Sequence, residues 1–155
     1  MIDYSKLQIE IIKDLCKGKP ITNRFCYHND KVLLTNSDNT LMVAIPRNKF
    51  IINTKGDCLC RNESAAIALL FDKDAKQLYD NGLEKFIKPG LTVHIFKYNN
   101  KEFYVDSKKL KTIGYDKSIY TVKTDISKKY QPLQFYIDDR FIGMICSNNY
   151  FFLGI

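Results

Sequence analysis

The stretch from residue 24 to 46, RFCYHNDKVLLTNSDNTLMVAIP, constrains the fold more than any other part of the chain. Asn29-Asp30 fits a two-residue hairpin turn, and residues 36–39 fit a four-residue loop. The resulting pairs are Phe25 with Leu34, Leu34 with Leu41 and Val32 with Val43. One face of the three strands is then wholly apolar, with Phe25, Tyr27, Val32, Leu34, Leu41, Val43 and Ile45. A one-residue slip would destroy that consistency, so the pattern predicts an antiparallel meander with a well-specified register.

The opposite face of this meander carries Cys26 and His28, and Asp30 follows at the same spacing of two residues. A structural zinc site needs four ligands, and the further thiols Cys58 and Cys60 belong to a distant loop. Asp30 is better explained by the turn, where Asp is favoured for backbone reasons. A Cys26–His28 nucleophile pair would also need an orienting third group. The sequence therefore predicts no metal site, no catalytic site and no cofactor. Cys26 and His28 are predicted to lie on the outer, mixed face of the meander.

A second hairpin is predicted in LTVHIFKYNNKEFYVD, with Asn99-Asn100 as its turn. This turn places Lys97 opposite Glu102, and the cross-strand charge pair supports the register. The side chains that then share one face are His94, Phe96, Phe103 and Val105. His94 is therefore predicted to be packed or half-buried, and not a ligand.

A third hairpin is predicted near the end of the sequence, in PLQFYIDDRFIGMIC, with its turn at Asp138-Asp139. The predicted neighbours are Phe135 with Ile142 and Leu133 with Met144. Because no linker rich in Pro, Gly or Ser separates these pieces, we predict a single domain over 1–155. Within it, 1–114 forms a core, and 115–155 adds a basic segment and the C-terminal hairpin.

Two helices are predicted beside the strands. The first covers 5–17: Ser5 and Gln8 have the capping-box spacing, and apolar residues recur every four positions at Leu7, Ile11 and Leu15. The second lies in DKDAKQLYDNGLEKF, with Asp72 near its cap and Asn81-Gly82 as its stop. Residues 49–53 are predicted as a short strand, whereas 64–71 fit either a helix or a strand. The elements together predict an α+β fold, with antiparallel meanders and two helices packed on one face.

The length of 155 residues and the apolar content of 45% fit a globular domain with a real core. No apolar run approaches the roughly 18 residues of a transmembrane helix, and the first residues lack the apolar region of a signal peptide. Five cysteines, an odd number, argue against a disulfide framework. These features predict a soluble, cytoplasmic protein that does not associate with membranes.

The order of elements over residues 5–114 resembles a single domain of a bacterial sliding clamp, the DNA polymerase processivity factor. The matching motif is a strand with a T-x-x-D turn and an isoleucine-proline exit: Leu34, Thr35, Asp38, Ile45 and Pro46. A clamp chain has three such domains, and this chain has room for one. The polar positions of its two predicted helices mix charges, unlike helices that line DNA. The resemblance therefore implies a clamp-like domain without the encircling function, as fits a phage or mobile-element accessory protein.

The strongest functional signal is the basic segment at 107–131, which contains seven lysines and only two acidic residues, Asp116 and Asp125. This segment supplies most of the net charge of +7. Lysines can contact phosphates while interleaved tyrosines stack on bases. The predicted nucleic-acid-binding residues are Lys108, Lys109, Lys111, Tyr115, Lys117, Tyr120, Lys123, Lys128, Lys129 and Tyr130. The competing interpretation is a solvated edge strand, in which lysines discourage aggregation.

Two functions follow from these features. The first is a non-enzymatic accessory protein that binds nucleic acid or a nucleic-acid-processing complex. The alternative is a protein-binding inhibitor that blocks a host nuclease or defence complex, since tyrosines are enriched at interfaces. An enzyme that uses Cys26 and His28 ranks below both. The predicted partner is therefore nucleic acid or a host protein complex in the host cytoplasm, with a homo-oligomer left open.

Overall fold

The computed structural model describes residues 2–15, 25–28, 30–36, 40–51, 75–126 and 132–147. The chain divides into two compact units, Met1–Asp72 and Lys73–Ile155. The described residues are mostly antiparallel sheet and include two α-helices, which confirms the predicted α+β class. Within these residues, no helix is long and apolar enough to cross a membrane.

In the first unit, helix α1 spans Tyr4–Leu15 and buries Leu7 and Ile11 on its apolar stripe. The predicted capping box is wrong, because Asp3 caps the helix: the Lys6 backbone N–H donates to its carboxylate at 3.0 Å. Gln8 is instead fully buried. Its amide donates to the carbonyl of Lys49 at 2.7 Å and accepts from the N–H of Ile51 at 2.9 Å. A buried amide must satisfy its hydrogen bonds, so Gln8 ties α1 to the segment that follows the meander.

The predicted meander consists of strands β1 (Phe25–His28), β2 (Lys31–Thr35) and β3 (Leu41–Pro46). The β1–β2 register is as predicted, with Phe25 opposite Leu34 and His28 opposite Lys31. The β2–β3 register is wrong by two residues: Leu34 faces Val43, and Val32 faces Ile45. An even shift leaves every side chain on its predicted face.

Asn36 explains the shifted register. Its side-chain oxygen accepts the backbone N–H groups of Thr40 and Leu41 at 2.9 and 3.0 Å, which closes a longer loop than the one predicted. The mixed face is also covered: Leu33, Met42 and Ala44 are all buried. The meander is thus packed on both faces. A 3-10 turn at Arg47–Lys49 follows, where the sequence had predicted that a strand begins at residue 49.

The second unit contains seven strands and one helix within its described residues. The strands are β4 (Lys76–Gln77), β5 (Tyr79–Lys88), β6 (Leu91–Tyr98), β7 (Lys101–Asp106), β8 (Tyr120–Thr124), β9 (Pro132–Ile137) and β10 (Arg140–Cys146), and helix α2 spans Ser107–Thr112. All pairings are antiparallel: β5, β6 and β7 form a three-stranded sheet, and β4, β8, β9 and β10 pair in the order β10-β9-β8-β4.

The second predicted helix is wrong, because its residues from 76 onward form β4 and β5. Asn81-Gly82 ends no helix. It lies in a β-bulge, where the register shifts between Asp80 and Glu84 and Gly82 has φ of +79°. Glycine adopts this left-handed conformation without strain, so the same dipeptide serves a bulge as well as a helix end. The predicted cap, Asp72, and the ambiguous stretch 64–71 lie outside the described residues.

The two later hairpins turn where predicted. In β6–β7, Lys97 faces Glu102 with a charge separation of 3.9 Å, and His94 faces Val105. In β9–β10, Asp138 and Asp139 form the turn, but the register differs: Phe135 faces Gly143. Leu133 likewise faces Ile145 instead of Met144. The cause is a bulge between Phe141 and Gly143, which adds one residue to β10.

Candidate functional site

Helix α2 follows β7 directly and points two of the predicted lysines into solvent. The Asp106 carboxylate accepts the backbone N–H of Lys108 at 3.0 Å and so begins the helix. Leu110 is buried and fixes the rotation of the helix, which leaves Lys108 and Lys111 exposed. Lys109 is half-buried and lies outside the groove described below.

A tight turn after α2 presents a third lysine, Lys117. The Asp116 carboxylate accepts the N–H and the hydroxyl of Ser118 at 2.9 and 2.8 Å, which fixes the turn. These bonds lower the pKa of Asp116 below its ordinary value. A Cβ placed on Gly82 would lie 3.7 Å from Lys117 Nζ, so the lysine amine sits beside the β5 bulge. The turn therefore brings Lys117 to the same place as the α2 lysines.

These three lysines surround one groove of about 450 Å³. Its lining comes from β5, β6, α2 and the following turn, and consists of Asp80, Glu84, His94, Ser107, Lys108, Leu110, Lys111, Tyr115 and Lys117. Ion pairs in the described part of the chain join His94 to Asp80 and Glu84, and Lys97 to Glu102. None of them involves the groove lysines, whose charges are therefore available to an anion.

A hydrogen-bonded network centred on Asp80 forms the floor of the groove. One carboxylate oxygen lies 2.7 Å from His94 Nε2 and accepts the Gly82 N–H at 2.7 Å. The other oxygen accepts the Tyr115 hydroxyl at 2.5 Å. Burial by itself would raise the pKa of Asp80, but these hydrogen bonds and the His94 charge lower it below its ordinary value. Burial and the Asp80 carboxylate raise the pKa of Tyr115, so Asp80 is ionised and Tyr115 is protonated at neutral pH.

Glu84 differs from Asp80 in its exposure. The Asp80 side chain is 7% exposed, whereas that of Glu84 is 55% exposed. Glu84 Oε1 lies 3.8 Å from His94 Nδ1 and accepts the Ser107 hydroxyl at 3.4 Å. Glu84 thus presents an anchored but accessible carboxylate in the groove, beside the three lysines.

Two of the three predicted tyrosines, Tyr115 and Tyr120, make packing contacts around the floor of the groove. Tyr120 is buried, and its hydroxyl donates to the Ile113 carbonyl at 2.5 Å. The Tyr115 ring is half-buried and meets Phe96 and Phe135 edge to face, with centroids 5.5 and 5.8 Å apart. Both side chains therefore help to hold the floor of the groove in place, and their stacking on bases stays a prediction.

Of the four remaining predicted residues, the structure describes only Lys123. Lys123 extends from β8 over the ring of Tyr136, 5.3 Å from its centroid, and does not line the groove. The others, Lys128, Lys129 and Tyr130, lie outside the described residues. Of the ten predicted residues, the structure brings Lys108, Lys111, Tyr115 and Lys117 together.

Sequence reasoning missed four polar lining residues, Asp80, Glu84, His94 and Ser107, besides the apolar Leu110. His94 was correctly predicted to be packed, since its side chain is 12% exposed, but not to lie in a site. Asp80 and Glu84 had been assigned to a helix, which concealed their place on β5. The alternation Asp80, Gly82, Glu84 opposite the His94 strand was the available signal.

The arrangement favours the binding of anions over chemistry. His94 and Asp80 pair as in hydrolases, but within the described residues no hydrogen bond joins His94 to a hydroxyl or thiol, and its Nδ1 lies 3.8 Å from the Glu84 carboxylate. No group of three His, Cys, Asp or Glu residues that could hold a metal occurs in the described ranges. Cys58 and Cys60, and the side chains of Cys26 and His28, lie outside what the structure describes. Comparisons with protein-family models, curated proteins and solved structures find no match to this chain.

Proposed function

We propose that this protein is a non-enzymatic accessory protein that binds single-stranded nucleic acid through the groove of its second unit. The observation that carries this proposal is the convergence of Lys108, Lys111 and Lys117 on one groove, without ion pairs to other described residues. Lysines of this kind bind phosphates and release condensed counterions, and this release contributes much of the affinity of proteins for nucleic acid.

The size of the groove favours a single strand. A volume of about 450 Å³ is that of a pocket for a small ligand, and it admits one nucleotide rather than the width of a duplex. The three lysines are exposed and line the groove together with Glu84 and His94, so phosphates can bind the lysines while a base enters the groove. Phosphate contacts of this kind position a strand without reading its sequence.

We do not propose ring closure around DNA, since strands β4 and β5 contain residues that were predicted to form the second helix of a clamp-like domain. Catalysis is not part of the proposed function either. The Asp80–His94 pair is explained by packing: it fills the floor of the groove together with the ring of Tyr115.

A binding titration with a matched control tests this function. A variant with Lys108, Lys111 and Lys117 all replaced by Gln is compared with one in which Lys6, Lys13 and Lys49 are replaced. These control lysines are exposed in the first unit, and both variants lose three charges. Fluorescence anisotropy at low salt measures the binding of a labelled single strand about ten nucleotides long.

We expect the groove variant to bind the strand more than about tenfold more weakly, and the control variant to bind within about twofold of the unmutated protein. A duplex of the same sequence should bind more weakly than the single strand. Equal losses in both variants, or no binding by the unmutated protein at low salt, would rule out the groove as a nucleic-acid site.

A second candidate function is that of an inhibitor that binds and blocks a host protein complex. One exposed surface favours it. Strand β5 is an edge of the three-stranded sheet, and its Tyr79 and Phe86 side chains are 68% and 67% exposed. Exposed apolar side chains on an edge strand are typical of sites where another chain adds. Affinity capture from host lysate should recover a stoichiometric protein with the unmutated chain, and lose it with Tyr79 and Phe86 both replaced by Ser.

A further inference from the structure

Glu84 is an exposed carboxylate in a groove for anions, and its contacts with Ser107 and His94 both lie at Oε1. Its negative charge opposes phosphate binding, yet it stands beside three lysines that form no ion pair with it at 4.0 Å or less within the described residues. Asp80 is a poor acceptor for a ligand, because its side chain is only 7% exposed and His94, Gly82 and Tyr115 take three of its roughly four lone-pair sites. Glu84 is thus the accessible carboxylate acceptor of the groove.

The sheet and two side-chain contacts position Glu84. It follows the bulge of β5 and lies opposite His94 in the sheet. Its Oε1 contacts the Ser107 hydroxyl at 3.4 Å and lies 3.8 Å from His94 Nδ1. A carboxylate has about four lone-pair sites, so contacts at one oxygen leave capacity at both for a ligand.

The chemistry of a fixed carboxylate selects among bases. Guanine is the common base whose Watson–Crick edge offers two adjacent N–H donors, N1–H and the N2 amino group, and these match the two oxygens of a carboxylate. Adenine and cytosine each place an acceptor beside their donor, and uracil and thymine place acceptors on both sides. An unmatched acceptor next to a carboxylate is repelled.

We propose that Glu84 reads the base in this groove and that the protein prefers guanine within a single strand. This inference rests on the proposed nucleic-acid binding and assigns two kinds of contact within it. The lysines bind phosphates, and Glu84 specifies the base. DNA and RNA share the guanine edge, so the preference applies to both.

The test compares oligothymidine strands about ten nucleotides long that carry one central guanine, hypoxanthine, adenine or abasic site. An RNA set with uridine flanks distinguishes the two nucleic acids. We expect guanine to bind about tenfold more tightly than adenine, as a bidentate pair allows. Hypoxanthine keeps N1–H but lacks the N2 amino group, so its affinity should be intermediate. This comparison changes only the ligand and needs no protein variant.

Glu84→Ala tests the residue itself, with Glu10→Ala as a control of equal charge change on the exposed side of α1. Glu84→Ala should abolish the guanine preference and bind the abasic strand slightly more tightly, because a negative charge has left the groove. A loss of folding would instead weaken the binding of both the guanine strand and the abasic strand. Glu10→Ala should keep the preference.

Two results would overturn the assignment: equal binding of guanine and adenine by the unmutated protein, or a preference that survives Glu84→Ala. If the abasic strand still binds and depends on the groove lysines, only the base-reading role falls. If no strand binds at low salt, the proposed function falls with it.

Discussion

At the scale of single residues, the Tyr115 hydroxyl makes the shortest of the hydrogen bonds to Asp80 in the floor of the groove. It donates to the largely buried Asp80 carboxylate at 2.5 Å. Removing it in Tyr115→Phe leaves one carboxylate oxygen without that donor, so we expect the free energy of unfolding to fall by about 1–2 kcal/mol. Urea unfolding measures the change. Tyr79→Phe, whose side chain is 68% exposed, is the control and should change stability little.

The hydrogen bond between Tyr115 and Asp80 also predicts how the free energy of unfolding depends on pH. The pKa of Asp80 is lowered in the folded protein, so its contribution is full above the pKa of the unfolded chain, about 3.9, and is lost as pH falls through the lower folded value. Tyr115→Phe removes one cause of the lowering. The stability difference between the two proteins should therefore be constant near neutral pH and shrink below about pH 4. Urea unfolding across this range measures it, and a difference that grows on acidification would contradict the assignment.

Prediction of single residues from the sequence succeeded where the position of a residue in a hairpin allowed only one structural role. The Lys97–Glu102 pair and the packed His94 were both found by registering a hairpin. It could not separate two roles for Tyr115 and Tyr120, because an amphipathic ring that interleaves with lysines fits a stacking surface and a core equally well. Only the tertiary contacts, such as the bond from Tyr120 to the Ile113 carbonyl, distinguish the two.

At the scale of elements, hairpins with two-residue turns were predictable and their irregularities were not. Asn29-Asp30 specified β1 and β2 to the residue. The β2–β3 loop and the β10 bulge were missed because they depend on the Asn36 side chain and on an unpaired residue. β5 was mistaken for a helix because an Asn-Gly dipeptide ends helices and also permits bulges, and pairing with β6 decided the outcome.

The β9–β10 turn offers a test at this scale. Asp138 and Asp139 have φ of 47° and 62°, the left-handed region required at both positions of a type I′ turn. Asp139→Gly removes the steric cost of a side chain there, which outweighs the added backbone freedom. We expect it to stabilise the protein by roughly 0.5 kcal/mol, and Asp139→Ala to destabilise it by a similar amount. Thermal unfolding measures both, and changes of the same sign would exclude this turn geometry.

At the scale of the whole molecule, the question is whether a net charge of +7 or one groove governs binding. The two units carry exposed lysines in both halves of the sequence, so a diffuse field would attract nucleic acid without a site. Composition revealed the charge, but the described structure gathers three of its lysines, from α2 and the turn after it, around a single groove. That convergence depends on folding, because 35 positions separate β5 at Gly82 from the lysine beside it, Lys117.

Salt dependence separates the two explanations. Each phosphate neutralised on a single strand contributes about 0.7 to the slope of log affinity against log salt, so three groove lysines should give a slope near −2. The variant that lacks Lys108, Lys111 and Lys117 should have a slope near zero, whereas the one that lacks Lys6, Lys13 and Lys49 should keep most of it. Both lose the same charge, so a diffuse field would flatten both slopes equally. Anisotropy titrations from low to moderate salt measure the slopes, and equal flattening would show that net charge, not the groove, binds the strand.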